Sequence, residues 1–146
     1  MKQFKAWRYK CDFCGKNGRQ KSSMVRHEIG CTANPDRICK IHHHATGEDL
    51  PSSPPVAEML TLLREHSKDE DHGLKALRDF VDNCPCCILA AIRQSGLCKG
   101  YADEDGYSPP AIGPEQFDFK KELASLWAEV NGAAHEASMR SEAHYL

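Results

Sequence analysis

No stretch of this 146-residue chain comes near the roughly 20 consecutive apolar residues that a bilayer-crossing helix needs. The N-terminal residues carry no apolar core of a secretory signal, so a reducing, cytoplasmic setting is expected. The sequence also has no HExxH motif, no Gly-rich phosphate loop and no Ser/His/Asp constellation. It has few aromatics, at 8%, but 27% charged and 40% hydrophobic residues place it outside the disordered class. What it has in plenty is metal-ligating chemistry: eight Cys and eight His. In a secreted chain that many thiols would read as a disulfide scaffold. Here the spacings and the expected compartment favour reduced, metal-bound thiols.

The sharpest spacing is Cys11-x2-Cys14-x12-His27-x3-Cys31. Two soft thiolates on a tight knuckle, followed by an imidazole and a thiolate one helical turn apart, suit a tetrahedral Zn²⁺ ion. Gly15 and Gly18 are placed to supply the positive φ of such a knuckle. Ser22 and Ser23 are candidate N-caps for a helix reaching about residue 29, with Gly30 as its stop.

On these residues, 9–31 resemble a zinc finger of the two-Cys-two-His superfamily, in the variant whose last ligand is Cys. Tyr9-Lys10-Cys11 matches the aromatic-x-Cys start, and Met24 stands where the finger helix carries its core Leu. The aromatic usual four residues after the second Cys is replaced by Gly18, a space that Phe13, Tyr9 or Trp7 is expected to fill. The resemblance implies a small ββα unit and places Gln20, Ser23 and Arg26 where finger helices face base edges. The chain as a whole, rather than any motif in it, resembles small uncharacterised proteins of tailed bacteriophages. That likeness implies a host cytoplasm or a virion as alternative locations.

Two further half-sites share one spacing, Cys39-x2-His42 and Cys84-x2-Cys87, and together predict a second closed zinc centre. His43 or His44 is an alternative to His42, and Cys86 an alternative to Cys84 or Cys87. Otherwise Cys86 and Cys98 read as buried apolar residues. Four protein ligands at each centre leave no open position for water or substrate, so a structural rather than catalytic role is expected for both. Residues 41–47, Ile-His-His-His-Ala-Thr-Gly, also resemble the D-H-x-H-x-T-G stretch of zinc-containing HNH nucleases, with Ile41 in the Asp position. That minor alternative implies nuclease activity dependent on His42 and His44.

Charge is unevenly spread. Residues 1–44 hold ten Lys/Arg against three acids, and the rest hold nine against eighteen. A basic end of this kind predicts an anionic partner, with Lys16, Arg19, Lys21 and Arg37 on phosphates. The competing reading is that the two ends neutralise each other.

The fold expected is mainly α: a finger over 1–32, a zinc-stapled helical domain over 33–96, a Gly- and Pro-rich linker loop over 97–114 and a C-terminal helix over 115–146. Val56, Met59, Leu60 and Leu63 form one apolar stripe; Leu74, Leu77, Phe80 and Val81 form a second. Pro85 opens a third helix, with Ile88, Leu89 and Ile92 inward and Gly96 as terminator. Phe119, Leu123 and Trp127 line the last helix, a face for the chain's own core or for a protein partner or second copy. The functional expectation is thus a non-catalytic zinc protein touching nucleic acid. A zinc-stabilised protein–protein adaptor, or a structural component of a larger assembly, is the alternative.

Overall fold

The computed structural model of the chain describes residues 8–46, 53–104 and 106–143. About half of the chain is helical. In order the elements are β1 (Tyr9–Lys10), β2 (Asn17–Gly18), α1 (Lys21–Gly30), α2 (His42–Thr46), α3 (Val56–Glu65), α4 (Leu74–Phe80), α5 (Pro85–Ser95), β3 (Tyr101–Asp103), β4 (Gly106–Ser108) and α6 (Phe119–Ala143).

The N-terminal unit is built around very little apolar material. β1 and β2 pair antiparallel, Tyr9 opposite Gly18 and Lys10 opposite Asn17, and α1 packs back on them. Cys11, Met24 and Cys31 are its buried residues, with Ala33 half-buried against them. So small a core is marginal without an added staple. α1 starts without a side-chain cap on its backbone; Ser23 instead donates its hydroxyl to the Gln20 amide oxygen at 3.0 Å. Gly18 faces Met24, and a Cβ there would lie 2.9 Å from Met24 Cε. The long Met side chain therefore takes the space expected for an aromatic. Tyr9 and Phe13 stay exposed, and Trp7 lies outside the described residues.

The helical part has one contiguous core. α3 packs on α4 and α5, and α6 packs on α5 and α2. Met59, Leu77, Val81, Ile88 and Ile92 are completely or almost completely buried, with Val56, Leu63 and Leu74 around them. The expected stripes are there with two adjustments: Leu60 and Leu89 lie at the core edge, and Phe80 is 38% exposed. Phe80 is the last residue of α4, and Val81, just past the helix end, takes the inward position. Pro85 opens α5, and Gly96 ends it at φ +80°, the left-handed conformation that glycine adopts without steric cost.

Residues 97–114 are not a plain linker. They carry the β3–β4 hairpin and then return to the core, where the Ile112 N–H donates to the Leu97 carbonyl and Ile112 is buried. Phe117 closes the same core. α6 begins at Phe119 and continues through Asn131-Gly132 without a break. It is anchored by Arg78 on α4, which donates to both Glu122 carboxylate oxygens at 2.8 and 2.6 Å and to the Gln116 carbonyl at 3.3 Å. The guanidinium also sits 5.8 Å from the Phe117 ring centroid. Trp127 packs edge-on against His44, ring centroids 4.9 Å apart, so this part of the α6 stripe lies on the chain's own α2.

The two halves are tied together. Arg93 donates to the Thr32 hydroxyl at 2.8 Å, and the Gln94 amide donates to the carbonyls of Thr32 and Asn34. The buried Asn34 side chain in turn caps α1 by donating to the Glu28 carbonyl at 2.8 Å. Hydrogen bonds from α5 thus hold the segment that follows the N-terminal unit.

Candidate metal centres

The first cluster is assembled by local geometry. Cys11 N–H donates to the Lys16 carbonyl and Gly15 N–H to the Cys11 carbonyl, closing the knuckle, and Gly15 adopts φ +73°. The Asp12 N–H reaches across to the Glu28 carboxylate at 3.1 Å and fastens the knuckle to α1. His27 comes from the last turns of α1 and Cys31 from just beyond its end. The ligand atoms of Cys11, Cys14, His27 and Cys31 all lie within 4.8 Å of one another. Cys11 and Cys31 sulfurs are 3.9 Å apart, and Cys14 Sγ is 3.2 Å from His27 Nε2. A Zn²⁺ tetrahedron with bonds of about 2.3 Å to sulfur and about 2.0 Å to nitrogen has edges of roughly 3.5–3.8 Å. The sulfur-to-sulfur and sulfur-to-nitrogen separations fall within a few tenths of an ångström of those edges, so the four donors are close enough to hold one such ion.

Electrostatics favour the thiolate at one corner. The Lys16 backbone N–H, and then His27, lower the Cys14 thiol from 9.0 to about 6. Burial raises Cys31. A folded-state value below the unfolded one stabilises the fold and its ligand set above the unfolded pKa, and that contribution is lost as pH falls through the folded value. Cys31 must give up its proton on binding, so metal affinity at this centre should fall as pH is lowered through neutrality, and more steeply below about pH 6 where Cys14 protonates as well, a loss that competition with a chelator at stepped pH would read. Affinity that stayed flat down to pH 4 would contradict it.

The second cluster joins distant parts of the chain. Cys39 lies on the segment after α1, Cys84 at the N-cap of α5 and Cys87 in its first turn. The three are buried, and their sulfurs lie within 4.8 Å of one another, Cys39 and Cys84 at 3.7 Å. The His42 imidazole, 4% exposed, brings Nδ1 to 3.8 Å from Cys87 Sγ. The 3.7 Å sulfur-to-sulfur separation matches the edge of a tetrahedral site, whereas the His42 nitrogen reaches Cys87 without lying within 4.8 Å of all three sulfurs, so His42 must move slightly to complete a four-ligand set. Hydrogen bonds from Cys84, Cys86 and Cys87 push Cys39 far below the ordinary thiol range. Donating to Cys39 holds Cys84 up, at about 11, and raises Cys86 and Cys87 as well. Among the alternatives, Cys86 is half-buried beside Cys39, His44 is turned to Trp127, and the His43 side chain lies outside the described residues. Cys98 is exposed.

Of the residues expected on nucleic acid, Lys16, Arg19, Gln20, Lys21, Ser23 and Arg26 are all exposed. Arg37 is not. It is only 6% exposed and donates to Cys87 Sγ at 3.8 Å, so it does not hold phosphate at the surface as expected. The signal for this lay in an alternation: side chains of an extended segment alternate in direction, so Arg37 shares its side with Cys39 and leaves Ile38 outside at 52% exposure. Asn34 was also missed, because its role depends on α1 ending where it does.

Of the face expected on a protein partner, Phe119 and Leu123 are half-buried on α6 and Trp127 is 36% exposed over His44. No helix among the described residues is long and apolar enough to cross a membrane. No protein-family model, curated protein or solved structure matches the chain.

Proposed function

We propose that this is a zinc-binding protein whose N-terminal unit acts as a Cys-Cys-His-Cys finger and contacts nucleic acid through its basic face. The observation that supports the zinc reading most is the set of four ligand atoms of Cys11, Cys14, His27 and Cys31 gathered within 4.8 Å of one another. Both centres act structurally, holding in place what little apolar core the N-terminal half has. Around the first centre, Lys16, Arg19, Lys21 and Arg26 leave their cations in solvent, with Gln20 and Ser23 between them. An amide and a guanidinium on one helix can read adenine or guanine edges in a major groove, and the lysines hold phosphate. A single finger covers about three base pairs, so contact is largely electrostatic and weakly selective.

The test is fluorescence anisotropy with labelled duplex DNA and single-stranded RNA over a salt series. Affinity should fall steadily with salt, and reversing Lys16, Arg19, Lys21 and Arg26 to Glu should abolish binding at about 50 mM salt; the slope scales with the number of phosphates neutralised. Absence of binding by the zinc-loaded wild-type chain at low salt would end the nucleic-acid reading.

One observation favours a protein–protein adaptor instead. Phe13, Val25 and Ile29 of the N-terminal unit and Ile38 of the segment after it expose 42–52% of their surfaces; Val25 and Ile29 lie one turn apart on α1, and the Ile38 N–H donates to the Ile29 carbonyl. Clustered apolar exposure is more typical of a protein interface than of a phosphate-binding face. Retention of mass and of partners by a Val25→Ser/Ile29→Ser chain, in size exclusion and pull-down, would count against it. The nuclease alternative is the weakest, since His42 is buried against Cys87 while His44 packs on Trp127. Plasmid nicking with Mg²⁺ or Mn²⁺, lost on changing both His residues to Ala, would revive it.

A further inference from the structure

Arg37 has a problem that the metal reading solves. The residue is more than nine-tenths buried, and its buried Nε has no hydrogen-bond partner among the described residues. The ion pairs among those residues are His66–Asp69 and Arg78–Glu122, so among the described residues no carboxylate pairs with Arg37. Among the described residues its guanidinium donates from Nη1 to Cys87 Sγ at 3.8 Å and lies beside Cys39. A buried cation without a counter-charge is strongly unfavourable. Three neutral thiols would leave it so. Three thiolates and one imidazole around Zn²⁺ carry a single net negative charge, which one guanidinium cancels. Four thiolates would leave one negative charge over.

We propose that Arg37 is the built-in counter-ion of the second centre: it favours the ligand set Cys39, Cys84, Cys87 and His42 over a four-thiolate set in which Cys86 takes the place of His42, and its N–H···S bond to Cys87 strengthens metal retention. This rests on the second cluster being a zinc site, as read above. Partners that hydrogen-bond to metal ligands tune the metal as strongly as many ligands do, and their loss typically costs 10–100-fold in affinity. N–H donation to a metal thiolate withdraws charge from sulfur and makes it less open to protonation and attack. The same contact joins the segment after α1 to the start of α5, so charge and staple act at one point.

The test uses the full chain as wild type, Arg37→Met and Arg37→Lys, loaded with two equivalents of Zn²⁺ and challenged with a chromophoric chelator. In Arg37→Met one equivalent should be held at least about tenfold more weakly while the other is unchanged. Arg37→Lys, which keeps the cation, should stay within a few-fold of wild type. With Co²⁺ in place of Zn²⁺, the sulfur-to-metal charge-transfer band should move to longer wavelength in Arg37→Met, because removing the cation raises the energy of the sulfur electrons. It should hold its position in Arg37→Lys. His42→Ala should lose the second equivalent, whereas Cys86→Ser should keep it.

Equal weakening by Met and Lys would mean that Arg37 acts by packing and would overturn the assignment, as would retention by Arg37→Met with an unshifted band. If Arg37→Met does not fold with zinc while Arg37→Lys does, the need for the charge is supported. Uptake of only one equivalent by the wild-type chain is a different failure, read from stoichiometry alone. It would remove the second centre itself, and this assignment with it.

Discussion

Withdrawal of zinc by a strong chelator is expected to unfold the N-terminal unit outright and to loosen the attachment of residues 31–42 to α5. The reason is the size of the core available without metal. Cys11, Met24 and Cys31 are the buried apolar residues of that unit, and two of the three are proposed ligands. Each of its strands has two residues, and α1 has ten with no side-chain cap on its first turn. A helix of that length is marginal by itself. Structural zinc in finger peptides supplies about 10–16 kcal/mol of apparent binding free energy at neutral pH, which in such units is folding free energy. Nothing else in residues 8–31 approaches that. Circular dichroism and amide exchange before and after chelation would show it: helical signal and protection in α1 should vanish and return with added Zn²⁺, while α3–α5 keep most of theirs. Cys11→Ser or Cys31→Ser should reproduce the loss and leave one metal equivalent bound. Unchanged protection of α1 in the metal-free, reduced chain would overturn the reading of this unit as metal-held.

Leu77→Ala should cost about 2–5 kcal/mol, a large share of the 5–15 kcal/mol that a domain of this kind possesses. Leu77 is fully buried on α4, in the same core cluster as Met59, Ile88 and Ile92. Truncating it removes apolar burial and leaves a space that the surrounding helices fill only partly. Cys39, Cys84 and Cys87 belong to this cluster too. The loss should therefore reach the second centre and weaken retention of one metal equivalent while sparing the other. Phe80→Ala is the control. Although larger, Phe80 is 38% exposed at the end of α4, and its truncation should cost clearly less than that of Leu77. Urea unfolding of the zinc-loaded chains would measure both. A Phe80 effect equal to or larger than that of Leu77 would mean that α4 faces the core differently.

The contrast between Leu77 and Phe80 shows where sequence reading ran out. Both fit a helical stripe from 74 to 81, and periodicity alone treats them alike. Which of them is buried depends on where α4 stops, and that is decided by how Val81 turns in at its end. Residues 97–114 raise the same difficulty. Their Gly and Pro content reads as a loop, and the β3–β4 hairpin with Ile112 returned to the core follows from contacts with Leu97 that no local pattern announces.

What the amino-acid order settled alone was local. Cys11 and Cys14 on one knuckle, His27 and Cys31 one turn apart, and Cys84 and Cys87 around Pro85 are separations that backbone sterics convert directly into proximity of their side chains, close enough to hold a metal ion. Only the tertiary structure brought Cys39 to Cys84, turned Arg37 inward onto Cys87 and laid Trp127 against His44. Those outcomes depend on which surfaces bury one another over long chain separations, and on which side chains the packed helices then leave facing inward. Neither is encoded in the spacing of neighbouring residues.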